Sequence, residues 1–291
     1  MSDFKFNFSD DDSSPQDKGP IATDQCLTSG ASVSCRTHTV GPLHKNLASL
    51  ATPLSYPLQD IELKYLTAAC VEAIIDESNQ SHEAIADFKA LLSTSDGTDL
   101  IPSVYEGGLV AWEGAFDLVS YLSESQFDFT GMDVLELGCG SGLPAIYTLM
   151  KGARAVSLQD YNYEVINCVT IPSVLCNQRN LSLCNPSLCN FYSGSWDTLR
   201  EAVPQSVKFD VILTSETIYS ESSQTMLLSA MKSLLKLNGT IFVAAKSYYF
   251  GVGGSSAEFQ EMVSTDEHFS CEIVKTLTCS VPRVIMTLKP R

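Results

Sequence analysis

Residues 134–142, VLELGCGSG, set an apolar run of strand character against three alternating glycines, Gly138, Gly140 and Gly142. An apolar stretch with helical spacing follows. Glycine reaches backbone angles closed to other residues and lets the chain approach a ligand closely, because no Cβ stands in the way. A strand that turns through glycines into a helix opens a βαβ unit, and so points to a parallel sheet covered by helices. The spacing is G-x-G-x-G, not the G-x-G-x-x-G of dinucleotide binders, whose third glycine would stand at Leu143. Such a turn suits a ligand without a pyrophosphate.

The following residues keep the alternation. Strands are expected at 132–137, 155–159, 188–192, 209–213 and 240–245. Helices are expected at 142–150, 163–176, 196–202, 222–235 and 257–264, the second interrupted by Pro172. Residues 269–275 and 283–288 are strands with no room for a helix between them, so they form an antiparallel hairpin. The expected fold class is α/β: a doubly wound seven-strand sheet, mostly parallel, with an antiparallel closing hairpin. Upstream, an apolar run at 61–66 precedes helices at 66–77 and 84–92. Residues 104–122 read as one helix with Leu109, Trp112, Phe116, Val119 and Leu122 on its core face. These form a helical extension to a domain of residues 56–291. Residues 1–55, rich in Ser, Asp, Thr and Gly and carrying Pro15, Pro20, Pro42 and Pro53, are expected to be a flexible tail. Within it FKFNF, residues 4–8, could add to a sheet edge or dock as a short linear motif.

The formal net charge of −16 argues against a surface built to grip nucleic-acid phosphates. It would attract a basic partner, although an acidic surface also serves solubility alone. None of the ten cysteines forms a C-x-x-C pair, and the four histidines are not spaced to complete a zinc set, so no metal is expected. The acidic opening MSDFKFNFSDDD lacks the apolar run of a secretion leader, and no long apolar stretch reads as a membrane span. Reduced thiols in a cytosolic or nuclear protein follow as the expectation.

Beyond the turn, Asp160 closes the second strand about 20 residues on, where an acid can receive both hydroxyls of a ribose. It could equally cap the next helix, as could Asn162. Glu136 lies inside the first strand, where an unpaired charge is costly, and reads as an acceptor beneath the turn. Gly194, Ser195 and Trp196 follow the third strand, where Trp196 offers a flat face to an adenine or is plain core. Thr214, Ser215 and Glu216 end the fourth strand at the carboxyl edge of the sheet, where ligands of open α/β folds bind.

Assembled in order, VYEGGLVAWEGAFDL, VLELGCGSGLPAI, LQDYN, YSGSW, FDVILTSETIY and SYYFGVGG, together with FKFNF, resemble the protein-histidine methyltransferases, which modify a histidine of a large-subunit ribosomal protein. The matching stretches cover most of residues 104–254. The GCGSG turn marks only the broad class I methyltransferase fold. YEGGxxxWE, SETIY and YFGVGG are the more specific strings. The resemblance implies S-adenosylmethionine as cofactor, S-adenosylhomocysteine as product, and methylation at Nε2 (tele). It implies cofactor contacts from Trp112, Glu113, Gly138, Gly140, Asp160, Tyr161, Asn162, Gly194, Ser195, Trp196, Thr214 and Ser215, to which Glu136 and Gly142 are added from their own places in the strand and the turn. Glu136 departs from the family, which more often has Asp there. Residues 179–187 lack the basic cluster of some relatives, which puts nuclear import through that segment in doubt.

The chemistry needs alignment more than acid–base work, since the methyl leaves a sulfonium in an in-line displacement. A neutral imidazole is the nucleophile, and an acceptor on its Nδ1–H frees Nε2 and stabilises the cation that forms. Glu216 is the candidate acceptor, with Tyr219 its hydroxyl neighbour. Glu216 could also be a structural bridge to the loop around residues 247–250. Gly251, Gly253 and Gly254 read as a mobile rim or as a simple turn. The partner expected is a basic, large-subunit ribosomal protein, met by a monomer in the cytoplasm, nucleus or nucleolus without direct nucleic-acid or membrane contact. A lysine-directed methyltransferase on the same scaffold and a non-catalytic ribosomal-protein assembly factor are the alternatives.

Overall fold

The computed structural model describes residues 32–77, 82–95, 98, 100–178 and 185–291. Ahead of the glycine turn lie β1 (Arg36–His38), α1 (Pro42–Leu50), β2 (Leu54–Pro57), β3 (Glu62–Tyr65), α2 (Ala68–Glu77), α3 (Glu83–Ser95) and α4 (Glu113–Ser125). The alternating part begins with β4 (Asp133–Leu137), α5 (Leu143–Met150) and β5 (Ala155–Asp160). A helix in three parts follows: α6 (Tyr163–Val165), a π-helical turn (Ile166–Thr170) and α7 (Ile171–Cys176). Then come β6 (Cys189–Ser193), α8 (Trp196–Ala202), β7 (Phe209–Ser215), α9 (Glu221–Leu234), β8 (Leu235–Lys246), α10 (Ser256–Asp266), β9 (Phe269–Leu277) and β10 (Arg283–Pro290).

The sheet runs β1-β6-β5-β4-β7-β8-β10-β9. From β6 to β8 the pairs are parallel, while β10 lies antiparallel between β8 and β9. All seven expected strands and the closing hairpin are present. Four of the five side chains of β4 are buried, as expected of a central strand covered on both faces. One face packs Val134, Val156 and Val211 with Leu118, Leu122 and Ile146 from α4 and α5. The other packs Leu135, Leu137 and Ile212 with Leu199, Leu227 and Met231 from α8 and α9. Between β4 and β7 the strand order reverses, so connections leave in opposite directions and open a crevice at the carboxyl ends of those strands.

Three sequence expectations are revised. Residues 36–50, placed in the tail, form an eighth sheet strand and a helix. β1 pairs antiparallel with the outer edge of β6, Thr37 opposite Tyr192, and α1 buries Leu47 in the core shared with Val71 and Phe88. An edge strand this short is fixed by its partner and shows no period of its own. The rest of the expected tail, including residues 4–8, lies outside the described residues, as do residues 179–184. Second, residues 104–112 are not helical. Gly107 has φ +84°, and the helix starts only at Glu113 after the extended Trp112. Third, the interruption expected at Pro172 is a π turn at Ile166–Thr170 just ahead of it, through which the backbone stays helical into α7.

Candidate active site

The crevice floor is the glycine turn. Gly138, Gly140 and Gly142 have φ of +64°, +48° and +76°, all in the left-handed region that glycine enters without strain. A Cβ on Gly138 would come within 2.6 Å of Thr217 Cγ2, and one on Gly142 within 2.7 Å of Leu158 Cδ2. The turn is held from several sides. Cys139 N donates to Gln159 O at 2.8 Å, and Gly140 N donates to Asp160 Oδ2 at 2.8 Å. The Thr170 hydroxyl, from the π turn, donates to Gly140 O at 2.6 Å. Thr214, fully buried at the end of β7, donates to Leu137 O at 2.8 Å and ties the two strand ends that flank the crevice.

Over this floor lies a strap, residues 103–112. Asn162 anchors it, accepting from Glu106 N at 3.2 Å and donating to Val104 O at 2.8 Å. The Tyr161 hydroxyl donates to Ser103 O at 2.9 Å, and that of Tyr219 to Glu106. Gly108 rests on Asp160, where a Cβ would lie 3.0 Å from both carboxylate oxygens. Asp160 is 4% exposed, and burial pushes it up to about 6 against the backbone N–H groups that hold it down. It also accepts from Asn162 N at 3.3 Å, while the Asn162 side chain makes no cap at all. Asp160 therefore braces the turn that leads into α6, whose N-cap residue is Asn162, and does not cap the helix itself.

Glu136 is fully buried, and Oε2 accepts from Ala145 N at 2.9 Å, capping the first turn of α5. Its Oε1 has no partner, and burial raises its pKa well above the carboxylate range. Gly194, at φ +124°, donates to Asp160 O and Tyr161 O at 3.0 and 3.1 Å. Ser195 is spent on Val33: its N–H donates to Val33 O at 2.9 Å, and its Oγ accepts from Val33 N at 2.8 Å. Trp196 lies at the crevice, where a Cβ on Gly138 would be 3.8 Å from Cζ2. Trp112 donates to Gly107 O at 3.0 Å, with Lys246 Nζ 4.9 Å from the centre of its ring. Glu113 faces Lys246 at 3.7 Å with its side chain 57% exposed. Ser215, partly exposed, ends β7 beside Glu216.

Glu216 follows directly, with φ +57°, a strained conformation for a non-glycine residue. Its backbone N donates to Ala244 O at 2.9 Å, and its carboxylate turns under α4 at Gly114. It is buried, and neither oxygen has a donor in good hydrogen-bond geometry, although Lys246 and the Tyr249 hydroxyl are close enough to favour the charge. Burial outweighs them and raises its pKa. The phenol beside Glu216 is thus Tyr249; the hydroxyl of Tyr219 is committed to Glu106. Gly251, Gly253 and Gly254 form a tied turn, with Gly254 N donating to Tyr219 O at 2.8 Å and Tyr249 N to Gly254 O at 2.9 Å. A Cβ on Gly254 would lie 2.3 Å from Ile218 O.

Sequence reasoning missed Glu106, Gly108, Gly114, Gln159, Thr170, Lys246 and Tyr249. Two carried a visible signal: paired glycines inside an apparent helix, and a glutamine inside an otherwise buried strand. The arrangement fits a ligand with a sugar and a flat base. Glycines leave room at the turn, an acid with spare lone pairs stands at the next strand end, an aromatic ring follows the third strand, and Glu136 Oε1 is an unpartnered acceptor beneath. Among the described residues no group of His, Cys, Asp and Glu could hold a metal ion.

A domain family described as lysine methyltransferase matches residues 103–265. The chain is 41% identical over 191 residues to the histidine protein methyltransferase 1 homolog of Dictyostelium discoideum, covering 66% of this chain and 59% of that protein. It is 38% identical over 217 residues to the Rattus norvegicus homolog, with coverages of 67% and 60%. To the histidine protein methyltransferase 1 of Schizosaccharomyces pombe it is 32% identical over 238 residues, with coverages of 67% and 68%. The chain therefore spans about 60% of the length of the first two relatives.

Proposed function

Since this chain belongs to the histidine protein methyltransferase 1 family of methyltransferases, we propose that it transfers a methyl group from S-adenosylmethionine to Nε2 of a histidine in a large-subunit ribosomal protein. The glycine turn, Asp160, Trp196 and Trp112 hold the cofactor, which supplies an electrophilic methyl on a sulfonium when bound. Glu136 supports the turn from below through α5 and offers its free oxygen to the ligand's ammonium group.

The observation that carries the reading is Glu216, a buried carboxylate with no donor in good hydrogen-bond geometry on either oxygen, Lys246 and the Tyr249 hydroxyl being the groups nearby that favour its charge. Such a group is costly unless something donates to it. An imidazole Nδ1–H is a donor of the right kind. With that proton held by Glu216, the Nε2 lone pair forms the new N–C bond as the C–S bond breaks. Positive charge then builds on the ring beside the carboxylate, which stabilises it. The Nδ1 proton leaves afterwards, and a carboxylate whose pKa is raised by burial is suited to take it. A net charge of −16 supports a basic protein substrate and no nucleic-acid contact. Ribosomal proteins are made in the cytoplasm and assembled in the nucleolus, and those are the compartments proposed.

A second reading has one observation in its favour: the matching domain family is described as lysine methyltransferase. A lysine ammonium must lose a proton before attack, and Glu216 could take it. Product analysis separates the two. The protein is incubated with methyl-labelled cofactor and a large-subunit ribosomal protein fraction, and the labelled protein is hydrolysed to amino acids. Label in tele-methylhistidine supports the proposal. Label in methyllysine supports the second reading.

A further inference from the structure

Gln159 is the next-to-last residue of β5, fully buried, and none of its polar atoms faces solvent. Its Oε1 accepts from the Trp196 indole Nε1–H at 2.8 Å and from Gly138 N at 3.4 Å. Its Nε2 donates to Gly194 O at 2.8 Å. One side-chain amide thus joins three loops that rise from different strands: the glycine turn after β4, the end of β5, and the Gly194–Trp196 turn after β6. Gly194 N–H is spent on Asp160 O and Tyr161 O, and the indole has only one donor.

We propose that Gln159 is a positioning residue for the cofactor: it sets the Trp196 ring against the glycine turn so that the face for the adenine and the cradle beside it are formed before the ligand arrives. The inference rests on the cofactor reading of this crevice. The residue type follows from the bonds. The position needs one oxygen accepting two N–H groups and one nitrogen donating to a carbonyl, at the reach of three side-chain carbons and beyond. Asparagine is too short. Glutamate keeps both acceptor bonds but sets a carboxylate oxygen against the Gly194 carbonyl. Leucine has about the right volume and leaves the indole N–H and the Gly194 carbonyl buried without partners, the arrangement that costs most. Trp196, partly buried against the core at the start of α8, can then shift by rotating its side chain.

The test uses the full chain with nitrogen-15 in its tryptophans. The sequence has two tryptophans, so two indole N–H signals are expected, assigned with a Trp112→Phe sample. Affinity for S-adenosylhomocysteine is measured by calorimetry for the parent, Gln159→Leu and Gln159→Glu. In Gln159→Leu the Trp196 indole signal should move toward that of a water-exposed indole, and affinity should fall on the order of tenfold, the size expected for one lost buried hydrogen bond. Gln159→Glu, which retains the acceptor, should keep the indole signal near its parent position and lose less affinity. An indole signal that does not move in Gln159→Leu overturns the proposal, since the bond would not be positioning the ring. Parent-like affinity in a folded Gln159→Leu with a moved signal also overturns it, because the ring's placement would not matter to the ligand. Should Gln159→Leu fail to fold, Gln159→Met, which keeps the length of the side chain and removes both amide groups, is measured in its place and read by the same two outcomes. A parent that binds no S-adenosylhomocysteine, with both indole signals unaffected by it, instead sinks the cofactor reading, and the Gln159 role with it.

Discussion

The carboxylate of Glu216 occupies the space that a side chain on Gly114 would take: a Cβ there would lie 2.7 Å from Oε1 and 3.1 Å from the carboxyl carbon. Contacts that short force a shift, and the Glu216 side chain is the part able to give. Gly114→Ala gains helix propensity of about 1 kcal/mol in α4, which offsets part of the strain. The expected outcome is a fall in turnover of about tenfold or more, with S-adenosylhomocysteine affinity held near the parent value. Steady-state rates and calorimetry on one preparation check it. Full turnover would show that the placement of Glu216 does not matter.

The pH dependence of stability should carry the mark of Asp160. Burial pushes this group up to about 6 from 3.8, against the amides of Gly140, Asn162 and Tyr161. Between those two values the folded chain holds a proton that the unfolded chain releases. The group's stabilising contribution is therefore full below 3.8 and is lost as pH rises through about 6. At about 1.4 kcal/mol per pKa unit, the effect is ~3 kcal/mol at most. Glu136, also raised by burial, acts in the same direction, while Asp133, lowered by Arg154, acts in the opposite direction at lower pH. Asp160→Asn should shrink the difference in melting temperature between about pH 5 and about pH 7 relative to the parent. Ligand affinity should run the other way, rising with pH through about 6, because ribose hydroxyls donate best to the ionised form. A parent affinity flat across that range would remove Asp160 from the ribose contact.

Glu136 separates support of the turn from contact with the ligand. Glu136→Gln can keep the bond from Ala145 N without burying an ionisable group, and is expected to melt at or above the parent temperature. Glu136→Leu leaves that first-turn amide unpaired and should cost about 1–3 kcal/mol. If Oε1 also meets the ligand's ammonium group, Glu136→Gln should bind S-adenosylhomocysteine more weakly despite its stability. Thermal melts paired with calorimetry read both effects.

The alternation of apolar runs, turns and helical periods was enough to place seven of the eight strands of the main sheet, because central strands buried on both faces read as apolar runs bounded by turns. The edge strand β1 was illegible for the opposite reason: its three residues gain order only from β6, and nothing in Arg36–His38 has a period. Residues 104–112 misled because Leu109 and Trp112 fall at helical spacing with Phe116. Gly107 and Gly108 were the contrary signal: Gly107 takes φ +84°, and Gly108 lies close against Asp160. In the site, residues at strand ends were legible because the βαβ order fixes where strands end. Tyr249 and Lys246 were not, since their meeting with Glu216 depends on how the chain beyond β8 folds back. Gln159 was passed over as one polar residue in a strand, and only its three bonds reveal its place.

We propose that the buried carboxylate at position 216 directs methyl transfer to a histidine, and one comparison tests this. Parent and Glu216→Gln are compared for S-adenosylhomocysteine affinity, melting temperature and rate of methyl transfer to a large-subunit ribosomal protein fraction, with the modified residue located by mass spectrometry. Label is expected on histidine Nε2 in the parent. The variant should fold, bind with unchanged affinity and transfer methyl more slowly by roughly 10²–10³, since an amide oxygen accepts the Nδ1–H but lacks the full charge that stabilises the imidazolium. A folded, ligand-binding Glu216→Gln that methylates histidine at the parent rate would contradict the proposal.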